Sequence, residues 1–299
     1  MGAGFDTVWL VQVGSAFALI CGFCWLVGSW SARRWLPRDD VMSAALDARL
    51  RVFDLLAVGI AIVAGGWSLL AATAVMAGCT MRQACDMFWM MVSGTAYGHA
   101  SCLALMALVV VLVLRCIPRL PMAGETAVLL ALGVFALTRA SMGHAGEEGI
   151  WTLPYAAEAV HLSAISVWTG VVAVSGWCVL SARLPPAATN RYLDLMSHTA
   201  LVAVVAIGAT GVYSGWHRVG STGNLMNTVY GFTLLVKVAL VAVAVGIGGY
   251  NKFIGLPAAS RSLKGVAVVR LALRIETVLL LGAVLAAAIL TSQQPPTAL

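Results

Sequence analysis

Eight long apolar runs dominate the chain and decide the solvent in which it can fold. A helix rises ~1.5 Å per residue, so about twenty apolar residues cross the ~30 Å hydrocarbon core of a bilayer. The sequence therefore predicts an all-α, polytopic membrane bundle of about eight transmembrane helices within a single integral membrane domain, residues 1–299. The predicted spans are 7–30, 52–78, 88–114, 122–141, 154–181, 197–217, 230–250 and 271–291.

The basic residues predict how this bundle is oriented in the lipid bilayer. Most of the 18 Lys and Arg residues fall in the loops that follow spans one, three, five and seven. Cytoplasmic loops of membrane proteins are enriched in Lys and Arg, so these loops are predicted to be cytoplasmic and both termini periplasmic. The formal charge of +6 is therefore attributed to membrane topology, and no nucleic-acid partner is expected.

The segment GHAGEEGIWTLPYAAEAVH, residues 143–161, concentrates polar residues in a chain that is only 10% charged. Glu158 and His161 lie three residues apart on predicted span five and therefore share one helical face. Helical bundles use Glu-x-x-His spacing to present two ligands to one metal ion. Ionisable residues within a membrane are functional candidates because their burial is costly.

Glu158 and His161 also have structural interpretations that the sequence leaves open. Glu158 can pair with Arg139, because the predicted topology puts both near the outer surface. His161 can be a hydrogen-bonded histidine of the core. The metal-site hypothesis and the structural one predict different partners for the same side chains.

A second candidate metal site lies on predicted span three. His99, Cys102 and Met106 follow one another at offsets of zero, three and seven residues, which places them on one helical stripe. Imidazole, thiolate and thioether ligands together suit copper, and thioether favours Cu(I). Methionine is also common packing material in membrane helices, so a packing role stays open.

Further candidate ligands lie at the predicted outer surface. Met87 belongs to the segment MAGCTMRQACDMFWMM, residues 76–91, which is rich in methionine. Met142 and His144 follow span four, where they are placed to receive a metal ion before it enters the bundle. Two cysteines of the same outer segment face an oxidising compartment, where they either form a disulfide or hold metal: Cys79 and Cys85.

Two charged residues fall inside the last two predicted spans. Lys237 and Glu276 differ in predicted depth by roughly ten ångströms or more at the usual helical rise, so no direct ion pair is expected. Lys237 can extend toward the outer interface, and Glu276 can pair with Arg270 or Arg274 at the inner surface. Asp54 and Arg51, at the inner start of span two, can likewise lie at the inner surface.

Six segments of the chain resemble one known family, the copper resistance D family, CopD, of bacterial inner-membrane proteins. The resemblance is clearest over residues 190–296. Its upstream segments are RASMGHAG at 139–146 and EAVHLSAISVWTG at 158–170. Its downstream segments are TGVYSGW at 210–216, YGFTLLVKVALV at 230–241, YNKF at 250–253 and LRIETVLLLGAVLAAAILTSQQPP at 273–296.

The resemblance implies a multi-pass protein of the bacterial inner membrane that moves copper between periplasm and cytoplasm, with import favoured. It implies no enzymatic activity, and it implies a separate periplasmic copper carrier of the CopC type as partner. Three residues are carried over as site residues: His144, His161 and Glu158. Three more match the family as structural motif residues: Lys237, Asn251 and Glu276.

Two other functions remain open at the level of sequence. A membrane b-type cytochrome holds haem between two histidines on facing helices, and His99 with His161 fit that requirement in the outer half. An inner haem has no histidine pair, since His198 stands alone on that side. The other alternative is a sensor or assembly factor that binds copper without transporting it.

Overall fold

A computed structural model describes residues 7–37, 41–118, 120–143, 146, 149–182, 184–294 and 296. His144 therefore lies outside the described residues. All regular secondary structure in this part of the chain is helical. The elements are α1 Thr7–Trp35, α2 Val41–Ala77, α3 Met81–Gly94, α4 Ala96–Cys116, α5 Met122–Ser141, α6 Leu153–Trp177, a 3₁₀ turn Val179–Ser181, α7 Pro186–Val219, α8 Thr222–Asn227, α9 Val229–Tyr250, a π-helical turn Asn251–Gly255, α10 Leu256–Ala259 and α11 Leu263–Thr291.

The predicted bundle of eight spanning helices is confirmed. Within the described residues, eight helical segments are long and apolar enough to cross a bilayer. Several begin earlier than the apolar pattern indicates: α2 begins at Val41, α7 at Pro186 and α11 at Leu263. The reason is physical, because hydropathy marks the part of a helix that lies in hydrocarbon, whereas polar turns continue the same helix beyond it.

The predicted third span, 88–114, is wrong in its first part. The helix is interrupted at Thr95, whose backbone is extended. The side-chain hydroxyl of Thr95 caps the start of α4 by accepting a hydrogen bond from the Gly98 amide. The residues before the break belong to α3, an amphipathic helix of 14 residues. Its Trp89 is exposed while its Met91 is buried, which is the pattern of a helix that lies along a bundle surface.

The spanning helices pack into two groups that share α1. The N-terminal group consists of α1, α2, α4 and α5, and its core contains Phe23, Val58, Leu108 and Phe135. The C-terminal group consists of α6, α7, α9 and α11, and the ends of α1 and α2 pack against its core.

Helix α1 joins the two groups through a close crossing with α6. Gly28 and Gly170 bring the two backbones into direct contact, and a Cβ atom on either glycine would overlap the opposite main chain. Small residues at such crossings allow membrane helices to approach closely. The sequence Trp168-Thr169-Gly170 therefore has a packing role in addition to any other.

Both described ends of the chain lie on the same face of the bundle. The indole of Trp9 near the start of α1 donates a hydrogen bond of 2.9 Å to Ser292 just after α11. We call this end the terminal face and the opposite end, where α1 finishes with Arg33 and Arg34, the basic face. The assignment of the terminal face to the periplasm stays a prediction from the distribution of Lys and Arg.

Candidate metal site

Glu158 and His161 lie near the terminal end of α6, on its second and third turns. Thr152 caps this helix, and Pro154 occupies its first turn, where a missing amide donor costs little. The carboxylate of Glu158 pairs with Arg218 of α7 at 2.7 Å, and both side chains are about one quarter exposed. The expected pair between Glu158 and Arg139 is therefore wrong, because the cation on α7 takes the position that α5 was expected to fill.

The ring of His161 is fixed by a hydrogen bond to α7. Its Nδ1 lies 2.9 Å from the hydroxyl oxygen of Thr210. That hydroxyl donates its single proton to the carbonyl of Ala206 at 2.6 Å, so it accepts from His161. This assignment puts the proton of the imidazole on Nδ1 and leaves the lone pair of Nε2 free to bind a metal ion.

Gly211 of α7 lies directly beside this imidazole. A Cβ atom on Gly211 would lie 3.4 Å from Cε1 of His161. The histidine motif of α6 and the TGVYSGW segment of α7 thus meet at one place. Because α6 and α7 pack along much of their length, the ring is held between helices and away from open solvent.

Two cations share the neighbourhood of the Glu158 carboxylate. Arg218 forms the direct pair, and Lys237 of α9 lies within electrostatic range of Glu158 and of His161. Lys237 was expected to extend toward the outer interface, and its electrostatic neighbours Glu158 and His161 lie near the terminal end of α6. The pair engages Oε2 of Glu158, so a metal ion that binds this carboxylate competes with Arg218 for it.

The stripe on α4 does not reach the His161 cluster. His99 is exposed and its Nε2 lies 3.0 Å from the carbonyl of Ser93. Cys102 is half-buried, and Met106 is 58% exposed on the surface of the bundle. Helix α4 packs mainly against α2, α3 and α5, so His99 and His161 are not on a packed pair of helices. This arrangement gives no support to a haem held between them.

The two methionine candidates outside the α4 stripe have other surroundings. The sulfur of Met142 accepts a hydrogen bond of 3.1 Å from Ser101 and lies 4.0 Å from a guanidinium nitrogen of Arg139. Met87 is half-buried on α3. Met142 therefore follows α5 of the N-terminal group, Met87 lies on α3, which packs against that group, and the role of both as ligands stays a prediction.

Among the described residues, no three His, Cys, Asp or Glu side chains are arranged to hold a metal ion. All seven cysteines are free thiols, including Cys79 and Cys85. Cys24 is buried in the α1 core, as expected for a small apolar residue. In this arrangement, His161 is the candidate ligand with the best defined surroundings.

Three family-like motifs meet deeper in the C-terminal group. The indole of Trp168 on α6 donates a hydrogen bond of 2.8 Å to Oε1 of Glu276 on α11. The amide of Asn251, in the π-helical turn, faces the same carboxylate. All three side chains are buried, with exposed fractions of 1%, 2% and 3% for Trp168, Glu276 and Asn251.

Two family models match the chain. The model for copper resistance protein D matches residues 186–290. The model for the copper resistance protein D-like, N-terminal domain matches residues 5–153. The chain belongs to the copper resistance protein D family. No curated protein and no solved structure matches it significantly.

Family membership confirms the resemblance seen in the sequence and identifies a membrane protein related to copper resistance. The two matched ranges correspond to the packing of the structure. The N-terminal match contains α1 to α5, and the other match contains α7 to nearly all of α11. Helix α6, with Glu158, His161 and Trp168, lies almost entirely between the two.

The expected surface pairing of Glu276 is wrong for this member of the copper resistance protein D family. Its carboxylate is buried and bonded to Trp168, while Arg274 turns away from it. The Nε atom of Arg274 donates to the carbonyl of Gly176 at 3.0 Å, and its guanidinium lies over the ring of Trp177. Two residues correspond to about 200° around a helix with 3.6 residues per turn, so positions 274 and 276 lie on nearly opposite faces of α11.

A buried charge network in the N-terminal group was missed by sequence reasoning. Asp54 is fully buried, so the surface interpretation is wrong. Its Oδ2 lies 3.1 Å from Nη2 of Arg33 and 3.3 Å from Nε of Arg115. Arg115 in turn holds Glu125 at 2.7 Å, and Arg33 also contacts Asp47.

The network has a visible signal in the sequence. Arg115 ends the apolar run of α4 and Asp54 begins that of α2, so both helices bring opposite charges to the same face. The indole of Trp25 completes the environment by donating to Oδ1 of Asp54 at 3.1 Å. Buried charges of this kind are tolerated when they are paired and hydrogen-bonded.

Proposed function

We propose that this protein moves copper across the bacterial inner membrane, in the direction of import, as a transporter without enzymatic activity. The observation that carries the proposal is the state of His161, whose Nδ1 proton is bound by Thr210 so that Nε2 is ready to coordinate. A hydrogen bond behind a histidine ligand fixes its tautomer and orientation and raises its affinity for metal. Membership of the copper resistance protein D family supports copper as the cargo.

The proposed direction is supported by where the candidate ligands lie. Glu158 and His161 are near the terminal face, which the charge distribution predicts to be periplasmic. Copper received there, from a separate carrier of the CopC type, reaches His161 within two turns of α6. His144 and the methionines Met87 and Met142 are proposed as earlier contacts on the same face.

In this proposal, the ion pair between Glu158 and Arg218 controls the entry of copper. While the pair is closed, the carboxylate is neutralised by Arg218 and is not free for a cation. An arriving copper ion competes with the guanidinium for Glu158, and release of Arg218 opens the way past α7. Alternating access of the two helix groups then completes the transfer.

The decisive experiment compares copper transport by the wild-type protein with that by His161→Ala in proteoliposomes. We expect the wild type to bind a stoichiometric amount of copper and to carry it inward. His161→Ala should lose most of both. His198→Ala is the matched control, because this exposed histidine lies at the basic end of α7 with its Nδ1 near the carbonyl of Asp194.

Three outcomes would contradict the proposal. Equal uptake by the wild type and His161→Ala would remove the histidine from the pathway. Copper binding without uptake would favour a sensor or assembly factor. Purified protein that contains iron and no copper would favour haem.

A further inference from the structure

Glu276 is a carboxylic acid in the middle of a membrane-spanning helix. It is the fourteenth residue of α11, which has 29 residues, so it lies about 20 Å from either end at the usual helical rise. Its exposed fraction is 2%. Acidic residues buried within a membrane-spanning helix are rare and are functional candidates by default.

In the part of the chain that the structure describes, no Lys, Arg or His nitrogen lies within ion-pair distance of Glu276. The polar groups that face it are the indole of Trp168 and the amide of Asn251, both of which are neutral. An ionised carboxylate in these surroundings is costly, whereas a protonated one is not.

In the described part of the chain, none of the charged or titratable groups on the packed elements forms an ion pair or a hydrogen bond with Glu276, whose side-chain bond is to Trp168. His161 is seven residues before Trp168 on α6, a distance of about 10 Å. Lys237 is eleven residues before Gly248, the α9 position closest to the carboxylate, or about 16 Å away. Other such groups on these elements include Cys24 of α1, Tyr250 of α9, Lys252 of the π-helical turn, and Arg270 and Arg274 of α11.

Asn251 provides a second and independent observation. Its side chain is 97% buried, and neither its Oδ1 nor its Nδ2 completes a hydrogen bond in the structure. Buried amides without a partner are costly and uncommon. This amide faces Glu276 and is available to bind whichever protonation state the acid adopts, as a donor to the anion or an acceptor from the acid.

The backbone at Asn251 is irregular. Residues Asn251–Gly255 form a π-helical turn between α9 and α10. Such turns occur frequently at functional sites. Gly255 is required there because a Cβ atom would meet Val269 at 2.9 Å and the Oδ1 of Asn251 at 3.0 Å. The turn therefore holds the amide against α11.

We propose that Glu276 and Asn251 form a proton-binding site inside the membrane, and that proton exchange at this site accompanies the passage of copper. In binding, an O–H bond forms on the carboxylate of Glu276 at the expense of one O–H bond of hydronium, which leaves water. In release, the same proton returns to water. No electron is transferred in either step.

The coupling to copper rests on the proposed transport function. A copper cation that enters the low-dielectric interior brings a positive charge, and loss of the proton from Glu276 removes one. The net charge of the bundle interior then stays the same for Cu(I), which lowers the cost of entry. The separation of about 10 Å between the levels of His161 and Trp168 keeps copper and proton sites distinct.

Infrared difference spectroscopy tests proton binding without any transport assay. A pH jump applied to the wild-type protein should give a carboxyl stretching band that is missing in Glu276→Gln, whose amide oxygen still accepts from Trp168. Asp194→Asn, an exposed carboxylate on α7, is the matched control and should keep the band. Asn251→Ala should shift its frequency. An identical band in the wild type and Glu276→Gln, or no shift in Asn251→Ala, overturns the site.

Proteoliposomes with a trapped pH indicator test the coupling. Copper uptake by the wild type should be accompanied by proton movement, whereas Glu276→Gln should bind copper at His161 and lose the copper-dependent proton signal. Full retention of that signal overturns the coupling. If the wild type carries no copper, the transport proposal and the coupling fail together, while the infrared band still decides whether Glu276 binds a proton.

Discussion

The two helix groups bury charge in different ways. In the N-terminal group, Asp54 is surrounded by the guanidinium groups of Arg33 and Arg115. In the C-terminal group, Glu276 is also buried, and the polar partners that the described residues give it are the neutral side chains of Trp168 and Asn251. Compensated charges fasten helices together, whereas an uncompensated one has to change its protonation or its partner. The comparison favours a structural role for the cluster around Asp54 and a functional role, the proposed proton binding, for the cluster around Glu276.

The largest expected effect is on stability and comes from Asp54→Ala. The substitution leaves two buried arginines without their shared anion, and breaking a buried pair in this way costs about 3–5 kcal/mol. Denaturant unfolding of the purified protein in detergent micelles measures the loss. A free energy of unfolding within about 0.5 kcal/mol of the wild type, which is the range of a neutral surface change, would show that the network does not fasten α1, α2 and α4.

The junction between the two groups is the next place to test. In Gly28→Ala the new Cβ overlaps the carbonyl of Gly170, and neither backbone can yield without separating α1 from α6. Overpacking of this kind costs about 1–3 kcal/mol. Gly14→Ala on the same helix is the control, because a Cβ there meets nothing within 4 Å. Equal stability of the two variants in thermal unfolding would mean that α1 does not hold the groups together.

The copper site gives a prediction that separates function from stability. Thr210→Val keeps the shape of the side chain and removes the acceptor for Nδ1–H of His161. Loss of such a supporting hydrogen bond weakens metal binding about 10- to 100-fold. Copper titration of the purified protein measures the change. The control is Thr138→Val on α5, whose hydroxyl bonds to its own helix, and equal affinities in the two variants would count against His161 as a ligand.

The positions of the spans were predictable from sequence because hydropathy is a local property. Partners across helices were not predictable in the same way. Glu158 pairs with Arg218, which is 60 residues away, and nothing in the spacing of either residue favours this partner over Arg139. The interruption of the helix at Thr95 was also missed. The segment stays apolar on both sides of it, and one threonine hardly changes the mean hydropathy.

The candidate site was predictable in part. Glu-x-x-His spacing pointed to His161, yet the proton on its Nδ1 depends on Thr210 of another helix. Motif residues such as Asn251 and Glu276 were identified individually by resemblance, but their meeting depends on how α9 and α11 pack. Depth estimates from helical rise were adequate to exclude a direct pair between Lys237 and Glu276, because they need only distances along single helices.

The smallest expected effect concerns an exposed acid of the N-terminal group. It tests whether solvent exposure decides how much an ion pair contributes to the free energy of unfolding. Asp47 contacts the same Arg33 as Asp54 does, but its side chain is 48% exposed. Exposed ion pairs contribute about 0–1 kcal/mol, because water and salt screen them. Asp47→Ala should therefore change the free energy of unfolding by no more than that, and less at high salt. A loss as large as that of Asp54→Ala would mean that Arg33 depends on both acids, and that the network acts as one unit reaching the basic face.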